Sequence, residues 1–165
     1  MTRLTLAIAL SVALASPAMA HVGHGSAFTA MTGFAHPFSG LDHIAAMLGV
    51  GLWSVVGGGK RVWAWPLAFV AAMLAAAIAA RAGLGLPIVE PAIAASVLIL
   101  GIAIALTIEA PVWLGAAVVS VFAMAHGTAH GAEAPGGSFA AYAAGFAAAT
   151  ALLHAVGLAS GVAMC

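Results

Sequence analysis

No charged side chain interrupts the run from Val62 to Ala80, VWAWPLAFVAAMLAAAIAA. Such a run has few folds open to it. A helix rises roughly 1.5 Å per residue, so about 20 apolar residues cross the hydrocarbon layer of a membrane. Four further apolar runs of similar length follow, at about 37–56, 88–108, 112–131 and 139–163, the first two carrying one carboxylate each, Asp42 and Glu90. They are separated by GGGKR (57–61), RAGLGLP (81–87), EAP (109–111) and AEAPGGS (132–138), all of which break helices. The chain is 65% hydrophobic and 5% charged, against about a quarter charged in soluble domains. A soluble bundle needs polar faces that these helices lack. The expected fold class is therefore all-α: a polytopic transmembrane helical bundle of about five spans. Its 20 glycines suit close helix contacts in lipid. The formal net charge is zero, which argues against a nucleic-acid partner. The lone Cys165 excludes an intrachain disulfide and a thiolate zinc site.

The first twenty residues, MTRLTLAIALSVALASPAMA, read as a secretory address. Arg3 precedes a short apolar stretch, and the segment closes on the small-residue pattern AMA. Cleavage after Ala20 divides the chain into a signal peptide (1–20), a periplasmic histidine-bearing segment (21–36) and a transmembrane helical domain (37–165). The mature chain then begins HVGHG, where a free amine beside His21, with His24 nearby, makes a chelating group. The first span runs inward and leaves Lys60 and Arg61 in the cytoplasm, as the positive-inside rule favours; Arg81 counts against this orientation. The expected location is the bacterial inner membrane, multi-pass, with a periplasmic mature N-terminus.

This topology places most ionisable groups at one side of the membrane. His36, Asp42 and His43 lie at the outer end of the first span, within HPFSGLDH. His36 and His43 are two turns apart and share a face if the helix begins near Pro37. Asp42 projects about 100° away, placed to ligate or to orient a histidine of a neighbouring helix. FAMAHGTAHGAE sets His126, His130 and Glu133 at i, i+4 and i+7 on one helical face, a spacing at which two imidazoles reach one metal ion. The second position of a His-Glu-x-x-His protease site is instead Gly127. His154 stands alone in the last span and is either a core hydrogen-bonding group or a lower waypoint on a pathway. Glu90 is as readily explained by the helix dipole. Ionisable groups inside a membrane are costly and mark functional sites. Imidazole with carboxylate and no paired thiols suits Ni, Co, Zn or Cu(II), and spacing does not choose among them. No phosphate-binding loop is present, so ATP does not drive transport on this chain.

HPFSGLDHIAAMLGVGLW and FAMAHGTAHGAE, with the later LLHAVGLASG, resemble the signatures of the HupE/UreJ family of membrane proteins. The resemblance covers most of the chain. It implies a secondary nickel or cobalt permease rather than an enzyme, linked to the maturation of hydrogenase or urease. His36, Asp42 and His43 match the first motif, and His126, His130 and Glu133 the second. Family members usually continue into one more hydrophobic helix, so GVAMC reads as the end of a short member or a truncated reading frame. The expected partners are a divalent transition-metal ion, the lipid bilayer and, as an open question, further copies of the chain. No cofactor is held permanently; Ni²⁺ or Co²⁺ is the transported ion. Two other classes remain open: an intramembrane zinc hydrolase with Asp42 or Glu133 as general base, and a metal-binding accessory or sensor protein.

Overall fold

A computed structural model of the protein describes residues 29–132 and 138–164, and these are all-helical apart from their connections. The signal peptide, His21, His24, Glu133 and Cys165 lie outside the described residues. The elements are α1 (Ala30–Ala35), a 3-10 turn (His36–Ser39), α2 (Leu41–Val56), α3 (Arg61–Arg81), α4 (Val89–Ala105), α5 (Val112–Ala132) and α6 (Phe139–Met164). By length and apolarity α3, α5 and α6 each suffice to cross a membrane, and α1 to α2 form a fourth candidate broken by a 90° bend. The shorter apolar α4 completes a bundle that agrees broadly with about five spans.

The bend corrects the expectation of one helix from Pro37 to Val56. Thr29 and Thr32 cap α1 reciprocally, Pro37 sits in the first turn of the 3-10 segment, and Gly40 is extended at φ −118°, ψ 125°. His36 and His43 are therefore not two turns apart on one helix. They face each other across a corner.

The helix ends are locally encoded. Gly83 at φ 86° closes α3, with its N–H donating to Ala80 and that of Leu84 to Ala79. Thr107 at φ 48° closes α4 in the same way: its N–H donates to Ile104, and that of Ile108 donates to Ala103 at 2.8 Å. These paired bonds are Schellman closures. The second one stops α4 at Ala105, three residues before the predicted end.

The most extensive helix pair is α3 with α5, followed by α2 with α6 and α1 with α6. Small residues make the first pairing possible. A Cβ at Gly127 would collide with the carbonyl oxygen of Met73, and one at Gly131 with that of Ala77. Backbone thus touches backbone along α3, as glycine allows in membrane helices. Gly127 and Gly131 each follow a histidine, so the face that fixes α5 against α3 adjoins the face that carries His126 and His130. Trp53, Trp65, Phe69, Met47, Met73 and Phe146 fill the centre of the bundle.

Candidate metal site

His36 enters the site from the 3-10 turn, His43 from the first turn of α2, and His130 from the last turn of α5. One ring nitrogen from each lies within 4.8 Å of the other two. The ring centroids of His36 and His130 are 4.8 Å apart, and those of His43 and His130 are 5.0 Å apart. His43 and His130 are buried, while His36 is half-buried and forms the outer edge. Metal–nitrogen bonds of about 2.1 Å require nitrogens no more than roughly 4.2 Å apart. The three rings need only a small inward movement to hold one ion.

The Asp42 carboxylate makes its hydrogen bonds within its own helix. Oδ1 turns back on the next residue, accepting from the His43 backbone N–H at 2.8 Å and lying 3.0 Å from its Nδ1. A carboxylate only accepts, so Nδ1 carries the hydrogen and Nε2 keeps its lone pair. His43 Nε2 is buried and has no hydrogen-bond partner among the described residues. This carboxylate–imidazole pairing is the arrangement that orients metal-binding histidines. Asp42 also lies in the first turn of α2, where a negative charge opposes the helix dipole.

His126 and His130, four residues apart on α5, take different neighbours. His130 joins His36 and His43, and its ring stacks on Phe146 at 4.7 Å and 24°. His126 lies beside that group, 5.0 Å from the ring of His43, with its Nε2 3.1 Å from Ser96 Oγ. His43 thus reaches both rings, at 5.0 Å from each by centroid, while His36 and Phe146 lie against His130. Phe69 stands next, 5.8 Å from His126 and 5.2 Å from His154 by ring centroids. His154 is buried, and both its ring nitrogens lack hydrogen-bond partners among the described residues. It borders a groove of about 200 Å³ between α3 and α6, lined by Pro66, Leu67, Val70, Ala151, Ala155 and Leu158 among others. Glu90 is exposed in the first turn of α4.

Sequence reasoning missed the residues that build the walls. Ser96 is a fully buried hydroxyl in an apolar helix, and its rarity there was the available signal. Tyr142, the one tyrosine of the chain, meets His36 edge-on at 5.9 Å and Phe146 at 5.4 Å. Tyr142 and Phe146 are one turn apart on α6, and that spacing reads equally well as packing.

The arrangement is a buried, nitrogen-rich cage with one accessible ligand and further histidines arranged inward. No solved structure matches this chain. The HupE / UreJ protein family matches residues 8–165. A relative named Protein HupE, from Rhizobium leguminosarum bv. viciae, is 45% identical over 149 residues, which is 90% of this chain and 78% of the relative. The chain belongs to the HupE/UreJ family of multi-pass membrane proteins, which are associated with nickel and cobalt transport.

Proposed function

We propose that this protein is a secondary permease that carries Ni²⁺, with Co²⁺ as the alternative ion, across the inner membrane toward the cytoplasm, supplying nickel enzymes such as hydrogenase or urease. The observation that carries this reading is the convergence of His36, His43 and His130 within 4.8 Å. Imidazole nitrogen suits these borderline divalent ions. His36, the half-buried member, meets the ion first; His43 and His130 then replace part of its water shell. Asp42 places a negative charge directly behind His43. Glu133 and the N-terminal His21 and His24 add acceptors at the same side by their sequence position.

Transport needs a site that releases its ion. Three imidazoles make a neutral ligand set, and the Asp42 charge acts from one ring further out rather than by binding the ion. His126, then His154 beyond the ring of Phe69, are the next nitrogen ligands along the bundle. The opposite end carries Lys60 and Arg61, and the positive-inside rule assigns that end to the cytoplasm.

The test is radiolabelled Ni²⁺ accumulation in cells lacking their own nickel importers. The chain is expected to raise accumulation, and a His43→Ala, His130→Ala double variant present in the membrane at equal amount is expected to abolish the increase. Accumulation unaffected by the double variant would overturn the reading. A metal that stays bound to purified protein through dialysis would instead favour a hydrolase or accessory role.

A further inference from the structure

Two neighbouring histidines of the site are held by different ring nitrogens. His43 uses Nδ1, which faces the Asp42 carboxylate. His126 uses Nε2, which faces Ser96 Oγ at 3.1 Å. The serine hydroxyl has one hydrogen, and a shorter contact already claims it: Oγ donates to the carbonyl of Ile93 at 2.7 Å. Ser96 Oγ therefore accepts from His126. That contact places the imidazole hydrogen on Nε2 and leaves Nδ1 with the lone pair. His126 Nδ1 is buried and has no hydrogen-bond partner among the described residues. Ser96 is itself fully buried, one turn above the carbonyl that orients it.

We propose that Ser96 is a positioning residue that holds His126 in the Nε2–H form, so that Nδ1 is the nitrogen His126 offers to a metal ion. The proposal rests on the permease reading for its purpose and deepens it. Asp42 and Ser96 then do complementary work. One exposes Nε2 of His43 and the other exposes Nδ1 of His126, on rings whose centroids are 5.0 Å apart and nearly perpendicular. An ion leaving His43 meets a ligand that needs no hydrogen shift before it binds. Without Ser96 the His126 ring loses both its orientation and its fixed tautomer. Residues that orient metal-binding histidines in this way typically change metal affinity by about ten- to a hundredfold.

The experiment is ¹⁵N NMR of the metal-free full chain, labelled at histidine and reconstituted in lipid bilayers, with the His126 signals assigned by their loss in His126→Gln. The expected result is a protonated Nε2 and an unprotonated Nδ1 in the unaltered chain, a mixture of tautomers in Ser96→Ala, and return toward the Nε2–H form in Ser96→Thr. Ni²⁺ accumulation is expected to fall about tenfold in Ser96→Ala and to recover in part in Ser96→Thr. A hydrogen on Nδ1 in the unaltered chain overturns the proposal, whatever the variants do. So does an unchanged tautomer in Ser96→Ala. The expected tautomers in a chain that accumulates no Ni²⁺ would uphold the role of Ser96 and overturn the permease reading instead.

Discussion

The two ends of the bundle treat buried polar groups in opposite ways. At the end formed by α2, α3 and the α4–α5 connection, two indoles and an arginine meet backbone carbonyls. Trp53 Nε1 donates to Ile108 at 2.8 Å, Trp65 Nε1 to Val112 at 2.9 Å, and Arg61 Nε to Ala110 at 2.7 Å. Arg61 also donates to the carbonyl of Gly57. The two indoles pack at 4.4 Å. At the histidine end, His43 Nε2 and His126 Nδ1 are buried without a hydrogen-bond partner among the described residues. Leaving such a group unpaired costs about 1–3 kcal/mol. One end satisfies an arginine and two tryptophans, while at the other His43 and His126 each keep one ring nitrogen outside the hydrogen bonds of the described residues. On the proposed reading, the second end keeps these lone pairs for a metal ion.

Three variants or conditions sharpen that contrast. The largest effect is expected from Asp42→Asn. It keeps the shape but replaces the carboxylate behind His43, and Ni²⁺ affinity measured by titration of the purified chain should fall about ten- to a hundredfold. An unchanged affinity would mean that the carboxylate serves only the helix terminus.

Next comes pH. Protonated imidazole has no lone pair to give, and an ordinary imidazole takes up its proton below about pH 6.5. Capture begins at the half-buried His36, so lowering pH from about 7.5 to 5.5 is expected to reduce initial Ni²⁺ uptake, by up to roughly tenfold for one water-exposed imidazole. The sign follows from competition: protons displace the metal, so uptake is fullest above that range and is lost below it. Uptake that holds at pH 5.5 would break the histidine-capture reading.

The smallest effect belongs to the other end. Trp65→Phe removes one indole N–H and its bond to Val112. With the ring volume also lost from a fully buried position, it should lower stability by about 2 kcal/mol, seen as a shift in thermal unfolding in detergent, with Ni²⁺ uptake unchanged. A large loss of uptake would show that the two ends are coupled through α3.

Much of this architecture was legible in the chain. The second span was expected at 62–80 and forms at Arg61–Arg81; the fourth at 112–131 forms at Val112–Ala132; the last at 139–163 forms at Phe139–Met164. Long uncharged runs bounded by Gly and Pro leave little choice in lipid, because every backbone group must be bonded within the segment. The corner before α2 was not legible. A six-residue helix is too short to show a period, and its cap uses Thr32 where Glu or Gln is the usual sign. The early end of α4 was hidden too, since Thr107 rather than glycine takes the left-handed position.

The candidate site divides in the same manner. Histidine and carboxylate types, and their gathering toward one side of the membrane, follow from residue spacing and from the alternation of spans. Grouping His130 with His36 and His43 needed the bend at Gly40 and the close approach of α3 to α5 at Gly127 and Gly131. So did the pairing of Asp42 with its own neighbour and of Ser96 with His126. Sequence by itself determined which groups enter the membrane, because burial of charge is too costly to be incidental. Only the tertiary structure decided which of their nitrogens face one another, because ångström-scale distances between helices are set by packing that no single helix contains.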